Sequence, residues 1–294
     1  MSVVRVKKSK KHILRTFLNH FFLLLLSFVM VYPILWWFFA SFKTTAEMSS
    51  RDLLPKVWTL SNYIDGWRVT EKLTFGNFFA NSILVGFLVL NEQIPVMSVV
   101  GAVLSAGLVA YGFGRLKFKG KGIWFSILLM TLMLPSQVTV ISQYIMYNKL
   151  KMIDTYFPLV LGYCLGGGAF FIFLLVQFVR GIPKELDEAA NIDGAGTWGI
   201  YWRIIFPLMK PSFVTVAIYA FIWSWDDFYS QMLYLNSSSK YTVSLGLRMF
   251  IDQAEIRWGQ LLAMALLSIV PSLILFFVNQ KEFVEGVATT GLKG

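Results

Sequence analysis

Six long apolar runs, separated by polar and charged stretches, set the pattern of the chain: about 17–42, 81–112, 122–147, 157–179, 206–228 and 260–279. A helix needs about 20 mainly apolar residues to cross a bilayer, and each run is long enough. In lipid the backbone groups must be satisfied inside the segment, so each run is predicted to be helical. None shows the alternation of about ten residues that marks a membrane barrel strand. The pattern predicts an all-α integral membrane protein with six transmembrane helices over 17–280, a basic lead over 1–16 and a tail over 281–294. Phe21 to Phe42 carries no charge over 22 residues, too long for the apolar core of a signal peptide, so it is read as a retained helix.

The second run departs from this regularity. Asn81 to Tyr111 is 31 residues, roughly 46 Å as a helix at about 1.5 Å per residue, against a hydrocarbon core of about 30 Å. Asn91-Glu92-Gln93 interrupts it and Pro95 follows. Glu92 has two readings: a carboxylate in water on a helix that overshoots the membrane, or a carboxylate lining a transport path, the default functional reading for an ionisable residue in a span.

Composition supports lipid as the main solvent. The 294 residues are 56% hydrophobic and 14% charged, where soluble domains carry about 25% charged residues. The net charge of +10 does not point to nucleic acid, because Lys and Arg sit at the edges of the apolar runs, as topology signals do. With the N-terminus inside, 16 of the 26 basic residues fall on the inner side. This predicts both termini in the cytoplasm of a bacterial inner membrane. The two long outer segments, about 43–80 and 229–259, hold Trp58, Tyr63, Trp67, Tyr229, Tyr234 and Trp258. These form either an aromatic belt at the headgroups or a docking surface for an external partner.

Several chemistries are excluded. The single cysteine, Cys164, allows no intrachain disulfide and reads as a small buried hydrophobe. Only His12 and His20 are present, both beside the first run, so no histidine acid–base site lies deep in the fold. No phosphate-binding glycine loop, nucleophile elbow or zinc-helix motif occurs.

The informative loop lies between the fourth and fifth runs, over 180–211, on the inner side. Pro183 suits the first turn of a helix, and Glu185, Asp187 and Glu188 suit its positive end. Leu186, Ala189, Ala190 and Asp193 share a narrow face of mostly small side chains. Gly194 and Gly196 stop that helix. A second short helix follows to about Ile205, with Pro207 ending or kinking it and Pro211 opening the fifth span. The expected product is a bent, protruding element that either lies at the membrane surface or enters a groove of another protein.

The run Glu188-Ala-Ala-x-x-Asp193-Gly194-Ala195, with Ile204, Pro207 and Pro211 beyond it, resembles the EAA loop of binding-protein-dependent ABC importer permeases. Further stretches resemble the sugar-importer branch, in particular the smaller permease subunit of the maltose type. They are Asn81-Ser82, Ala110-Tyr-Gly-Phe-Gly-Arg115 with Lys117-Phe-Lys-Gly-Lys121, Trp225-Asp-Asp-Phe228, and Gly286 with Thr290-Gly-Leu-Lys-Gly294. Ser142, Gly196 and Asp226 stand where the family pattern has proline, serine and asparagine.

The resemblance implies the following. A second, homologous permease subunit completes a heterodimer around the path. Two ATPase subunits dock below and carry the ATP and magnesium, so this chain needs no cofactor and is not itself an enzyme. An extracytoplasmic binding protein delivers a sugar or oligosaccharide. Glu188, Ala189, Ala190, Asp193 and Gly194 would form the ATPase-coupling helix, and Gly291, Lys293 and Gly294 of the tail would touch the ATPase pair. Glu92, Trp225, Asp226 and Asp227 are the candidates for lining the substrate path. An ion-coupled secondary transporter is the alternative; it would need a mid-membrane ionisable group, a role open only to Glu92.

Overall fold

A computed structural model describes residues 10–86, 98–252 and 255–280. In chain order the α-helices are α1 (Lys10–Ala40), α2 (Ser61–Trp67), α3 (Phe75–Gly86), α4 (Ser98–Arg115), α5 (Lys121–Thr131), α6 (Ser136–Lys149), α7 (Phe157–Cys164), α8 (Ala169–Gly181), α9 (Glu185–Ile192), α10 (Thr197–Ile200), α11 (Phe206–Leu208), α12 (Lys210–Asp226), α13 (Tyr229–Tyr234), α14 (Val243–Gly246) and α15 (Trp258–Val278). The described residues form no sheet, only two isolated bridges. The protein is an all-α membrane protein.

Among the described residues, four helical stretches are long and apolar enough to cross a membrane: Thr16–Ala40, Ser98–Arg115, Phe157–Gly181 and Trp258–Val278. A fifth is the pair Thr197–Leu208 and Lys210–Asp226, bent by 74°. The predicted third span, 122–147, is not one helix. α5 ends at Thr131, four residues intervene, and α6 starts after Pro135, whose backbone is extended (ψ 131°). Proline disfavours helical geometry in the residue before it, which accounts for the break. The fourth span is interrupted as well: Gly166, Gly167 and Gly168 have φ of 100°, 69° and 87° between α7 and α8. Within the predicted second span, α3 and α4 flank 87–97, so Glu92 lies outside the described residues.

The chain divides into two compact units. The first holds residues up to Trp67 and Phe250–Leu267. In it the Trp37 indole donates to the Leu262 carbonyl at 2.9 Å. The buried Asn62 amide donates to the Ser41 and Lys43 carbonyls, both at 2.8 Å. The Lys43 ammonium is also buried and donates to the Asp52 carbonyl.

The second unit holds Arg68–Met249 and Ser268 onward. Its centre is α4, which packs against α7, α8 and α12. Small residues let these backbones approach. A Cβ on Gly101 would meet Cys164 Sγ at 2.4 Å, and one on Gly167 would meet the Ala106 Cβ at 2.7 Å. Cys164 is therefore packed against a glycine, as a small hydrophobe would be.

Candidate functional site

The loop between α8 and α12 is built by simple local rules. α9 starts at Glu185, so Pro183 sits just outside the Lys184 cap rather than in the first turn. Glu185, Asp187 and Glu188 occupy that first turn, where the positive end of the helix dipole favours them. At the other end Gly194 adopts φ 83°. Its N–H donates to the Asn191 carbonyl at 3.1 Å, and the Ala195 N–H reaches back to the Ala190 carbonyl at 2.9 Å. This is a Schellman stop, which needs a left-handed residue at that place. Gly196 is extended and opens α10.

The path then stays helical to Leu208, through a π-helical turn at Tyr201–Ile205. Pro207 lies in the last turn of this run, just after the π-helical turn and one residue before the run ends at Leu208. The bend of 74° falls at Met209, before Pro211 in the first turn of α12.

Both ends of this elbow are tied to one face of α4. Arg115 Nε lies 3.2 Å from Asp187 Oδ2, with the two side chains 4% and 18% exposed. Arg115 Nη2 donates to the Ile182 carbonyl at 2.7 Å. One helical turn back, the Tyr111 hydroxyl donates to the Thr197 carbonyl at 3.0 Å. Residues four apart on a helix share a face, so a single turn of α4 holds the start of α9 and the start of α10. Burial raises the Asp187 carboxyl above its ordinary value; Arg115 opposes that and Glu188 adds to it.

The middle of the elbow is bare. Glu188, Ala189, Asn191 and Asp193 are exposed, and Ala190 alone of the predicted small-residue face is buried, at 7%. Ile192 is 87% exposed and Trp198 67%.

A second loop cluster contrasts with it. Asp154, in the left-handed region at φ 59°, accepts from the Asn236 and Ser237 N–H groups, both at 2.9 Å. It also accepts from Ser237 Oγ at 2.7 Å and Lys240 Nζ at 2.9 Å. Asn81 Nδ2 donates to the Ser239 and Tyr241 carbonyls, and Ser82 Oγ accepts from the Val243 N–H at 2.8 Å. Burial alone would raise the Asp154 carboxyl, but the donors from Ser237, Lys240 and Asn236 outweigh it and hold it well below the usual carboxylate range.

The path candidates separate. Trp225 is 3% exposed, donates its indole N–H to the Ser268 carbonyl at 3.0 Å, and packs on Phe79 and Phe221. It is buried in the core of the bundle, with its one polar group used inside. Asp226 is exposed. Asp227 lines a pocket of about 220 Å³ with Gln143, Tyr163, Tyr229, Ser230 and Tyr234. Glu92, Gly291, Lys293 and Gly294 lie outside the described residues. Sequence reasoning missed Arg115 and Tyr111 as braces and Ile192 and Trp198 as the exposed apolar tip. A large aliphatic and an indole in a charged loop were the available signal.

Comparison with known proteins agrees with this architecture. Residues 99–281 match the family model for the binding-protein-dependent transport system inner membrane component. A probable ABC transporter permease protein, YurM, of Bacillus subtilis is 32% identical over 274 residues, 93% of this chain and 87% of that protein. The arabinooligosaccharides transport system permease protein AraQ of Halalkalibacterium halodurans is 30% identical, covering 92% and 93%. The maltodextrin transport system permease protein MdxG of Bacillus subtilis is 28% identical, covering 97% and 99%. A solved bacterial ABC transporter involved in import of the acidic polysaccharide alginate contains a chain with the same fold, at a TM-score of 0.76 and 22% identity over 94% of this chain and 99% of that one. The chain belongs to the family of inner membrane components of binding-protein-dependent transport systems.

Proposed function

We propose that this chain is one permease subunit of an ATP-driven importer for an oligosaccharide, and that α9 is the joint through which an ATPase subunit moves it. The observation that carries the reading is Ile192, 87% exposed at the tip of a capped and braced helix. With Leu186 and Trp198, also exposed, it gives the elbow large apolar side chains among charged ones, the composition of a contact surface. An amphipathic helix laid in a groove is a common way to recruit such a partner. Glu188, Asp193 and Gly194 surround the tip, and Glu188 is placed to meet a basic group of the ATPase. The relatives named for arabinooligosaccharides and maltodextrin suggest the substrate class.

In this reading the elbow faces the cytoplasm, as the basic residues Arg115, Arg180 and Lys184 beside it favour. α5 and α6 together make the third of six crossings. A second permease subunit completes the path, an external binding protein delivers the sugar, and ATP with magnesium binds the ATPase pair. The tail around Gly291, Lys293 and Gly294 reaches toward that pair. Closure of the ATPases moves α9, and the brace on α4 passes the displacement to the bundle. To take such a two-state equilibrium from 1:99 to 99:1, ATP must favour one state by about 5.5 kcal/mol.

The test is ATP hydrolysis by the purified, reconstituted complex. Glu188→Lys is expected to leave membrane insertion intact and to abolish the stimulation by sugar-loaded binding protein. Full stimulation in that variant would overturn the coupling role. Uptake driven by a proton gradient in ATP-depleted vesicles would favour the ion-coupled alternative.

A further inference from the structure

We propose that the pocket at the meeting of α6, α7 and the α12–α13 turn is a subsite for one neutral pyranose ring of the transported oligosaccharide, in which Asp227 rejects acidic sugars. The proposal rests on the importer reading above and gives it a place and a selectivity.

Size is the first constraint. The pocket measures about 220 Å³, below the roughly 300–1,000 Å³ typical of sites for whole drug-sized ligands. It fits a single ring, with the rest of the chain outside.

Lining chemistry is the second. Asp227 Oδ1 accepts the Ser230 N–H at 3.0 Å, which fixes the carboxylate. Its other oxygen has no hydrogen-bond partner among the described residues, so it can accept from a sugar hydroxyl. The exposed Gln143 offers an amide with both donor and acceptor character. Tyr163 and Tyr229 supply aromatic surface of the kind that packs on the C–H face of a pyranose. A carboxylate and an amide at the end of membrane spans are not placed against acyl chains.

The wall is rigid. Tyr234 is buried and meets Tyr147 edge-on at 5.4 Å, and its carbonyl accepts the Asp154 N–H at 2.7 Å. A site held in advance loses less freedom on binding.

Charge decides the class. Of the nine residues that line the pocket, none is basic and one is acidic. A uronate carboxylate seated there would face Asp227 with no cation to offset it, whereas a neutral ring offers only hydroxyls. Building a like charge against the wrong ligand is an ordinary route to selectivity.

The experiment uses the complete importer in lipid vesicles, with its ATPases and saturating binding protein. The probes are radiolabelled neutral trisaccharides and uronate-bearing trisaccharides. Wild type is expected to move a neutral trisaccharide and not the uronate one. Asp227→Asn should lower the sugar moved per ATP about ten-fold, the size of one lost charge-assisted hydrogen bond. It should also admit the uronate probe, with the rate of ATP hydrolysis within two-fold of wild type. Asp65→Asn, at an exposed carboxylate in α2, should change neither. As a check that does not depend on transport, Gln143→Cys in a Cys164→Ala background should be shielded from a thiol reagent by the transported sugar in the nucleotide-trapped complex. Unchanged selectivity and sugar per ATP in Asp227→Asn, or equal labelling with and without sugar, would overturn the subsite. A wild-type complex that moves no sugar with ATP would instead overturn the importer reading on which the subsite rests.

Discussion

Arg115 and Asp154 each anchor a loop, but they leave very different surfaces behind. The Asp154 loop is closed on itself: its carboxylate takes four donors, and the aromatic groups beside it, Tyr147 and Tyr234, are buried. The elbow is held by Arg115 and Tyr111 at the starts of α9 and α10, and between and beside those points it exposes Ile192 and Trp198. The first loop meets its own polar and apolar needs. The second has its shape settled in advance and its contact surface left open. A preorganised element binds with less ordering cost, so the contrast separates a loop that closes on itself from one that leaves a shaped surface open.

The contrast is tested most severely at Arg115. Arg115→Gln leaves the half-buried Asp187 without its nearest cation and removes the guanidinium donor to the Ile182 carbonyl, a loss of about 1–3 kcal/mol. The thermal midpoint of the purified complex should drop, and the exchanged pair Arg115→Asp with Asp187→Arg should recover part of the loss. No drop in either single variant would mean that the brace is idle. Ile192→Ala should do the reverse. With the side chain 87% exposed, the midpoint of the permease alone should not move, while the dissociation constant for the ATPase subunits rises roughly ten-fold through lost apolar burial. Equal affinity measured by titration would remove Ile192 from the interface.

At the other loop, Asp154→Asn should lower local stability by about 2 kcal/mol through weakened charged hydrogen bonds. Protease cutting within 229–241 should become faster, with the affinity for the ATPases unchanged. The same group sets a pH dependence. Its folded-state carboxyl lies below the ordinary value, so its contribution is full above the ordinary carboxylate pKa of about 4 and is lost as pH falls below it. Acid unfolding followed by fluorescence should be shallower in Asp154→Asn than in wild type. The smallest effect belongs to Gly194→Ala, where a side chain at φ 83° costs about 1–2 kcal/mol. It should loosen the α9 stop and reduce stimulation of ATP hydrolysis in part.

These two loops also show what a sequence can reveal. The acidic first turn of α9 and the glycine after it are local signals, acting within a few residues, and both were legible. The Arg115–Asp187 pair joins residues 72 positions apart. From the sequence Arg115 counts as a charge at the edge of a span and as part of a stretch that resembles the family, and neither reading points to a brace, since topology and bracing use the same residue type. Trp225 carries a related ambiguity: an indole near the end of a span has the same sequence signature whether it faces a path or donates to Ser268 inside the bundle, as it does here. The breaks at Pro135 and at Gly166 to Gly168 did carry signals, a proline and three successive glycines, but hydropathy averaged over a window passes across them.

Gly167 sits flush on α4 beside Ala106, and nine residues further along the same helix Arg115 holds the elbow. α4 is thus held at Ala102 and Ala106 to the unwound stretch between α7 and α8 and at its end to the elbow. A rigid rod held at two points turns a push at one into a tilt at the other. Three consecutive residues in a backbone region that side chains rarely adopt are a stretch that can yield to such a tilt without breaking a helix that was never continuous there.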